Sequence, residues 1–377
     1  MISYHTLYNT CRNDKNHVFA IGSNRHDLQE ETMFLKDRKL DRRISELKQY
    51  RYRDAQTIQS FLSKEDEEKL VNPKVPTDYT GWGELKLGDY WSGRDRYLWM
   101  HKEIQIPESF QGKRVVGVFD FGKTGAGNNC GFEAMCYINE KPYQGVDLNH
   151  QEVFFHEEDM KKPISLTFRL WSGLEGGGVP REQEHRIMEA KIAWLDEKAD
   201  DLYYLGTIML ETIKELADGS PEKYELRQSL DEACHCIDWS YPGSEEFYES
   251  VHQADDLLNE AVDKMDKHSL VHVTCVGHTH IDMAWLWRLK HTHEKASRSF
   301  STVLRMMEMF PEYVFLQTQP QIYQYIKEDF PEIYQGIKEK IKEGRWEASL
   351  SKTSLAKTCS MYGFPMCSDI PGLCLRS

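Results

Sequence analysis

Residues 270–285 read Leu270-Val271-His272-Val273-Thr274-Cys275-Val276-Gly277-His278-Thr279-His280-Ile281-Asp282-Met283-Ala284-Trp285. The apolar run Leu270 to Val276, closing on Gly277, predicts a short strand. The residues after Gly277 then sit at the strand's C-terminal end, the rim at which parallel α/β folds carry their function. If the backbone stays extended there, the period of two puts His278, His280 and Asp282 on one side. In a helix, residues two apart diverge by about 200° and the trio would not converge. Two imidazoles and a carboxylate aimed at one point suit a divalent cation, zinc in particular. The spacing alone leaves the reaction open.

Downstream, a helix is predicted through Met309, stopped by Phe310-Pro311. A second strand is predicted at Tyr313 to Leu316, then helices over 321–328 and 332–343, and a third strand opening at Gly344-Arg345-Trp346-Glu347. Strands alternating with helices imply parallel βα units. Upstream, residues 76–197 have a period of two: Leu98, Met100, Ile104 and Ile106; Ile164, Leu166, Phe168 and Leu170; Met188, Ala190, Ile192 and Trp194. Asn139-Glu140-Lys141-Pro142 reads as a turn, and the whole as a jelly-roll-like antiparallel β-sandwich. Residues 198–268 return to helical spacing, with Leu202, Leu205, Met209 and Ile213 on one stripe and Val251, Leu258, Val262 and Met265 on another, and form a helical connector. Residues 1–75 are a charged segment predicted to be helical from Arg42 onward to Leu62. The fold class is multidomain α+β: sandwich, connector, then the start of an α/β (βα)-barrel-like domain over 269–349.

The chain has 377 residues, 40% of them hydrophobic and 12% aromatic, enough for several cores. Its net charge of −14 opposes binding to nucleic-acid phosphates or an anionic membrane face. No apolar run approaches about 18 residues, and Met1 to Asn24 lacks a secretion-signal core. Nine Cys read as reduced thiols, and the expected location is cytoplasmic. Cys234-His235-Cys236 is too tightly spaced for one chelate, and Cys130 and Cys136 are read as structural thiols too. Gly122 to Gly127 is read as a loop, not a phosphate cradle, and His291 and His293 as solvated helix-face residues. Trp82, Trp91, Trp99 and Trp171 are read as core, with a carbohydrate platform as the alternative.

The run from His278 to Ser349 resembles the opening of the catalytic domain of glycoside hydrolase family 38 α-mannosidases, more closely their bacterial cytoplasmic branch. The elements agree in order: His-x-His-x-Asp-x-x-Trp at 278–285, a long helix closing at Phe310-Pro311, Gln317-Thr318-Gln319-Pro320, and Gly344-Arg345-Trp346-Glu347. The upstream sandwich and connector are similar to that branch too. The resemblance implies that His280 and Asp282 are two of the zinc ligands, that Trp285 stacks on the terminal mannose, and that His278 supports the ligands from behind. It implies a zinc that grips two vicinal sugar hydroxyls, and a retaining double displacement by two carboxylates. The implied partners are α-mannosides, with no nucleic acid or membrane, and intact relatives are expected to be homo-oligomers.

The family nucleophile, an Asp in a Trp-x-x-x-Asp context, is not found. No Trp follows Trp346, and the acidic residue beyond Ser349, Asp369, does not match. Residues 348–377 hold four charged residues and three Cys with no period, so 350–377 is read as an out-of-frame tail. The expected polypeptide is an α-mannosidase fragment without turnover, its sandwich able to fold alone and 270–377 poorly folded alone. Alternatives are an amidohydrolase-like metal hydrolase, which also carries His-x-His after a first barrel strand, and a non-catalytic carbohydrate-binding module.

Overall fold

The computed structural model describes residues 25–122, 131–266, 271 and 273–348. The expectations for 122–127 beyond Gly122, for Cys130 and for the 350–377 tail lie outside these residues. The chain divides into two compact units, residues 1–49 with 198–264, and residues 50–197 with 265–377.

The first unit is helical: α1 (Arg25–Leu47), α2 (Glu197–Glu215), α3 (Pro221–Cys236) and α4 (Glu245–Lys264). Leu40, Ile44 and Leu47 of α1, Leu202, Met209 and Ile213 of α2, and Val251 and Leu258 of α4 are all buried. The Arg227 guanidinium grips the Asp37 carboxylate through two hydrogen bonds of 2.6 and 2.9 Å. Asp218-Gly219-Ser220-Pro221 ends one helix and starts the next. Gly219 takes φ +81°, the Ser220 hydroxyl caps Lys223 N at 3.2 Å, and Pro221 occupies the first turn of α3.

The second unit begins with β1 (Tyr52–Thr57), β2 (Ser60–Glu65), β3 (Gly83–Lys86), β4 (Tyr90–Gly93), β5 (Tyr97–Ile104) and β6 (Val115–Asp120). It continues with β7 (Glu133–Ile138), β8 (Lys141–Asp147), β9 (Glu152–Phe154), β10 (Ile164–Trp171), β11 (Gln183–Arg186) and β12 (Glu189–Leu195). A four-stranded sheet, β1-β12-β6-β9, and a six-stranded sheet, β3-β2-β5-β10-β7-β8, are antiparallel and enclose one core that includes Phe119, Ala190, Met100 and Phe168. β7 and β8 are joined by Asn139 and Glu140, both at positive φ, as a two-residue hairpin turn requires. The helix expected to run to Leu62 stops at Leu47, and 52–65 forms two strands instead. Pairing with β12 and burial of Phe61 in the sandwich outweigh the local helical pattern. Trp91, Trp99 and Trp171 are buried, so they pack rather than form an exposed platform.

The same unit ends with β13 (Gly277–His278), α5 (Leu289–Met309), β14 (Phe315–Leu316), α6 (Pro320–Asp329), α7 (Pro331–Lys342) and β15 (Trp346–Glu347). The three strands form a parallel sheet in the order β13-β14-β15. Phe300 of α5 meets Trp346 edge-on at 5.2 Å, and Phe315 lies 4.7 Å from the same indole. The strand expected over 270–276 is not found among its described residues, 271 and 273–276, and pairing begins only at Gly277, in β13. β13 is an edge strand among the described residues, and Val271, Val273 and Val276 are exposed. α5 also lies on the sandwich at β8. A Cβ on Gly145 would stand 3.0 Å from Arg298 Cβ, and Gly145 N donates to the Thr302 hydroxyl at 3.1 Å.

Candidate functional site

In the segment after β13 exposed and buried residues alternate. Ile281 is 4% exposed and belongs to the apolar core, whereas His278 and His280 are exposed. A Cβ at Gly277 would stand 2.2 Å from the Tyr313 hydroxyl, so any other residue at the start of the segment would push that ring aside. The two Gln side chains after β14 hold the segment along its length. Gln317 Nε2 donates to the Thr279 carbonyl at 2.9 Å and Gln319 Nε2 to the Ile281 carbonyl at 2.7 Å. Two residues apart on an extended chain, these carbonyls point the same way, so a Gln-x-Gln spacing matches them. Gln317 is itself held. Its carbonyl accepts from the Tyr323 hydroxyl at 2.8 Å, which accepts from Trp346 Nε1 at 2.8 Å.

Thr292 of α5 fixes the far end. Its hydroxyl contacts the Asp282 and Met283 carbonyls at 3.1 and 2.7 Å and accepts from Trp287 Nε1 at 3.0 Å. Within this frame His280 Nε2 and Asp282 Oδ1 meet at 3.2 Å. His278 Nδ1 donates to the Leu316 carbonyl at 2.9 Å. Trp285 is 62% exposed. His278, His280 and Trp285 line a cleft of about 1170 Å³, whose other walls are α5 and loops of the sandwich.

His291 and His293 are not solvated. His291 is fully buried, accepting from Arg288 N at 3.1 Å and donating to Asp95 Oδ1 at 2.8 Å. His293 stacks on Tyr325 at 3.6 Å and donates to Asp329 at 2.6 Å. Sandwich residues set the entry to α5. Asp95 also receives Trp171 Nε1 at 3.0 Å and lies 3.3 Å from Arg288. Burial alone would raise its pKa. Hydrogen bonds from His291 and Trp171, with the charges of His291 and Lys290, overcome this and hold it well below the usual carboxylate range. Glu294 accepts from the Tyr97 hydroxyl at 2.6 Å and from Arg169 at 3.2 Å. Sequence reasoning missed Thr292, Gln317, Gln319 and Asp95. The Gln-Thr-Gln-Pro run was visible as a pattern but carried no role until its carbonyl partners were seen.

Residues 270–353 match the model of the glycosyl hydrolases family 38 N-terminal domain. The chain is 30% identical over 310 residues to alpha-mannosidase G of Dictyostelium discoideum, covering 76% of this chain and 27% of that one. It is 23% identical over 288 residues to alpha-mannosidase 2C1 of Mus musculus, 73% of this chain and 26% of that one. It is 28% identical over 154 residues to alpha-mannosidase of Saccharomyces cerevisiae, 38% of this chain and 14% of that one. The chain belongs to glycosyl hydrolase family 38. It spans about a quarter of the length of the Dictyostelium and mouse relatives.

The donor pair in this family 38 segment can be tested against zinc on geometry alone. A zinc ion bound at about 2.0–2.2 Å by one imidazole nitrogen and one carboxylate oxygen, at near-tetrahedral angles, holds the two donors about 3.3–3.6 Å apart. The 3.2 Å hydrogen bond between His280 Nε2 and Asp282 Oδ1 lies just below that range, so a small parting of the two side chains fits the ion. Among the described residues no group of three or more His, Cys, Asp and Glu gathers at one point. No helix among them is long and apolar enough to cross a membrane.

Proposed function

We propose that this family 38 chain carries the metal-holding and sugar-stacking part of a zinc-dependent retaining α-mannosidase. His280 and Asp282 would be two of the zinc ligands, and Trp285 the ring on which the terminal mannose stacks. His278, tied to Leu316, would stiffen the segment without binding the metal. Zinc, when bound, supplies a Lewis acid for vicinal sugar hydroxyls. The parallel β13-β14-β15 sheet is read as the start of a βα barrel, and the antiparallel layers before it as the jelly-roll-like sandwich. The proposed setting is cytoplasmic, with α-mannosides as ligands, no nucleic acid or membrane, and homo-oligomeric relatives.

The observation that carries this reading is the meeting of His280 and Asp282 at 3.2 Å, on the segment whose exposed Trp285 lines the cleft. We also propose that the 377-residue polypeptide binds without turnover. Double displacement needs a nucleophile and an acid carboxylate about 5–5.5 Å apart, and no Trp-x-x-x-Asp occurs after Trp346. Zinc titration by calorimetry is the test. Two donors should give weak binding that His280→Ala or Asp282→Ala abolishes, with no release of aryl alcohol from an aryl-α-mannoside. Zinc binding unaffected by either substitution would overturn the ligand assignment, and aryl alcohol release would overturn the claim of no turnover.

A further inference from the structure

The cleft is bounded not only by the family 38 segment but by the sandwich, and the β8–β9 turn forms part of that wall: Asp147, Leu148, Asn149 and His150 all line it. Its volume of about 1170 Å³ exceeds the roughly 300–1,000 Å³ that encloses a whole drug-sized ligand. A single hexose stacked on Trp285 leaves most of it open.

The turn is unusually well braced. Asp147 N donates to the His150 carbonyl at 3.2 Å and His150 N to the Asp147 carbonyl at 3.1 Å. The Asp147 carboxylate also accepts from Asn149 N at 2.8 Å, from His150 N at 3.0 Å and from His150 Nδ1 at 3.0 Å. With Nδ1 committed, Nε2 is the ring atom that remains, and it has no partner among the described residues. The side chain is 46% exposed. Other charged groups on this cleft are consumed by one another: Glu133 pairs with both Lys295 and Arg298.

We propose that His150 forms a second sugar subsite, taking a hydroxyl of the saccharide unit next to the terminal mannoside. The inference rests on the zinc and stacking roles proposed for His280 and Trp285. The chemistry suits it. A pyranose hydroxyl both donates and accepts, so it pairs with Nε2 whether or not that nitrogen carries a proton. The braced turn loses little freedom on binding, so the contact adds to affinity almost in full.

The test compares methyl α-mannoside with an α-linked mannobiose, by calorimetry on the full 377-residue chain with zinc chloride present. The disaccharide should bind about five- to tenfold more tightly, the scale of one or two neutral hydrogen bonds. His150→Ala should bring that ratio to about one, His150→Gln should restore part of it, and circular dichroism should confirm that both variants fold. Trp285→Ala should weaken both sugars together. A ratio of about one in the unsubstituted chain, or a ratio that His150→Ala leaves intact, overturns the subsite while the stacking role of Trp285 stands. Failure of both sugars to bind overturns the subsite and the reading on which it rests.

Discussion

Asp95 is 6% exposed and sits at φ +56°, a backbone conformation that few non-glycine residues adopt. It is held there because three side chains converge on its carboxylate, from Trp171, Arg288 and His291. Asn tolerates the same backbone, so Asp95→Asn removes the charge and little else. It should destabilise the second unit by about 2 kcal/mol in urea denaturation, the difference between charged and neutral hydrogen bonds at a buried site. The pH dependence has a definite sign. The folded-state pKa lies below the ordinary 3.8, so this stability is complete above that value and is lost as the pH falls below it. Asp95→Asn should therefore show less acid destabilisation than the unsubstituted chain. His291 illustrates what a sequence conceals at this scale. Its spacing on α5 marks a helix position but not which face meets solvent, and only the docking of α5 on the sandwich turns that face inward.

At the level of elements, α5, α6, α7 and the hairpin at Asn139-Glu140 were readable because their signals are local. Phe310-Pro311 and Pro331 punctuate helices through steric exclusion, and positive φ at a two-residue turn selects its residues. β1 and β2 were not readable, since their partners are distant in sequence. β10 shows an intermediate case. Its alternation was legible, yet Thr167 and Arg169 on the supposedly outer side are buried as well: His101 bonds the Thr167 hydroxyl, and Asp66, Leu70 and Glu294 surround the Arg169 guanidinium. Helix pairing makes its own prediction. Asp255 of α4 is buried near Asp201 of α2, and burial first, then that neighbouring charge, pushes its pKa up to about 6. A folded-state pKa above the ordinary 3.8 means a penalty present in full at pH 7 and relieved as the pH falls through 6 toward 4. Asp255→Asn should raise the stability of the helical unit at pH 7 by roughly 1–2 kcal/mol. In thermal melts monitored by circular dichroism, the advantage of the variant should shrink between pH 7 and pH 5.

For the whole second unit, the sandwich and the 271–348 segment share buried ion pairs. Arg169 lies between Asp66 at 2.8 Å and Glu294 at 3.2 Å, all three nearly inaccessible. Losing the Glu294 carboxylate while Arg169 stays buried costs about 3–5 kcal/mol at such sites, so this pair ties α5 to the sandwich. Limited proteolysis should therefore yield one resistant fragment that contains both the sandwich and Trp285. A sandwich released alone and stable would contradict this and return to the sequence-based expectation of an independent domain. The sequence by itself determined the order of strands and helices after Gly277 and the period-two layer before it, and it marked 278, 280 and 282, of which the fold brings only His280 and Asp282 together. These arise from backbone geometry and from the local sterics of Gly and Pro, which act over a few residues. Tertiary structure alone decided that Gln317, Gln319 and Thr292 hold the 279–283 backbone, that Asp95 anchors α5, and that the sandwich walls the cleft. Each of those contacts joins residues far apart in the chain, and burial and charge pairing, not local pattern, select them.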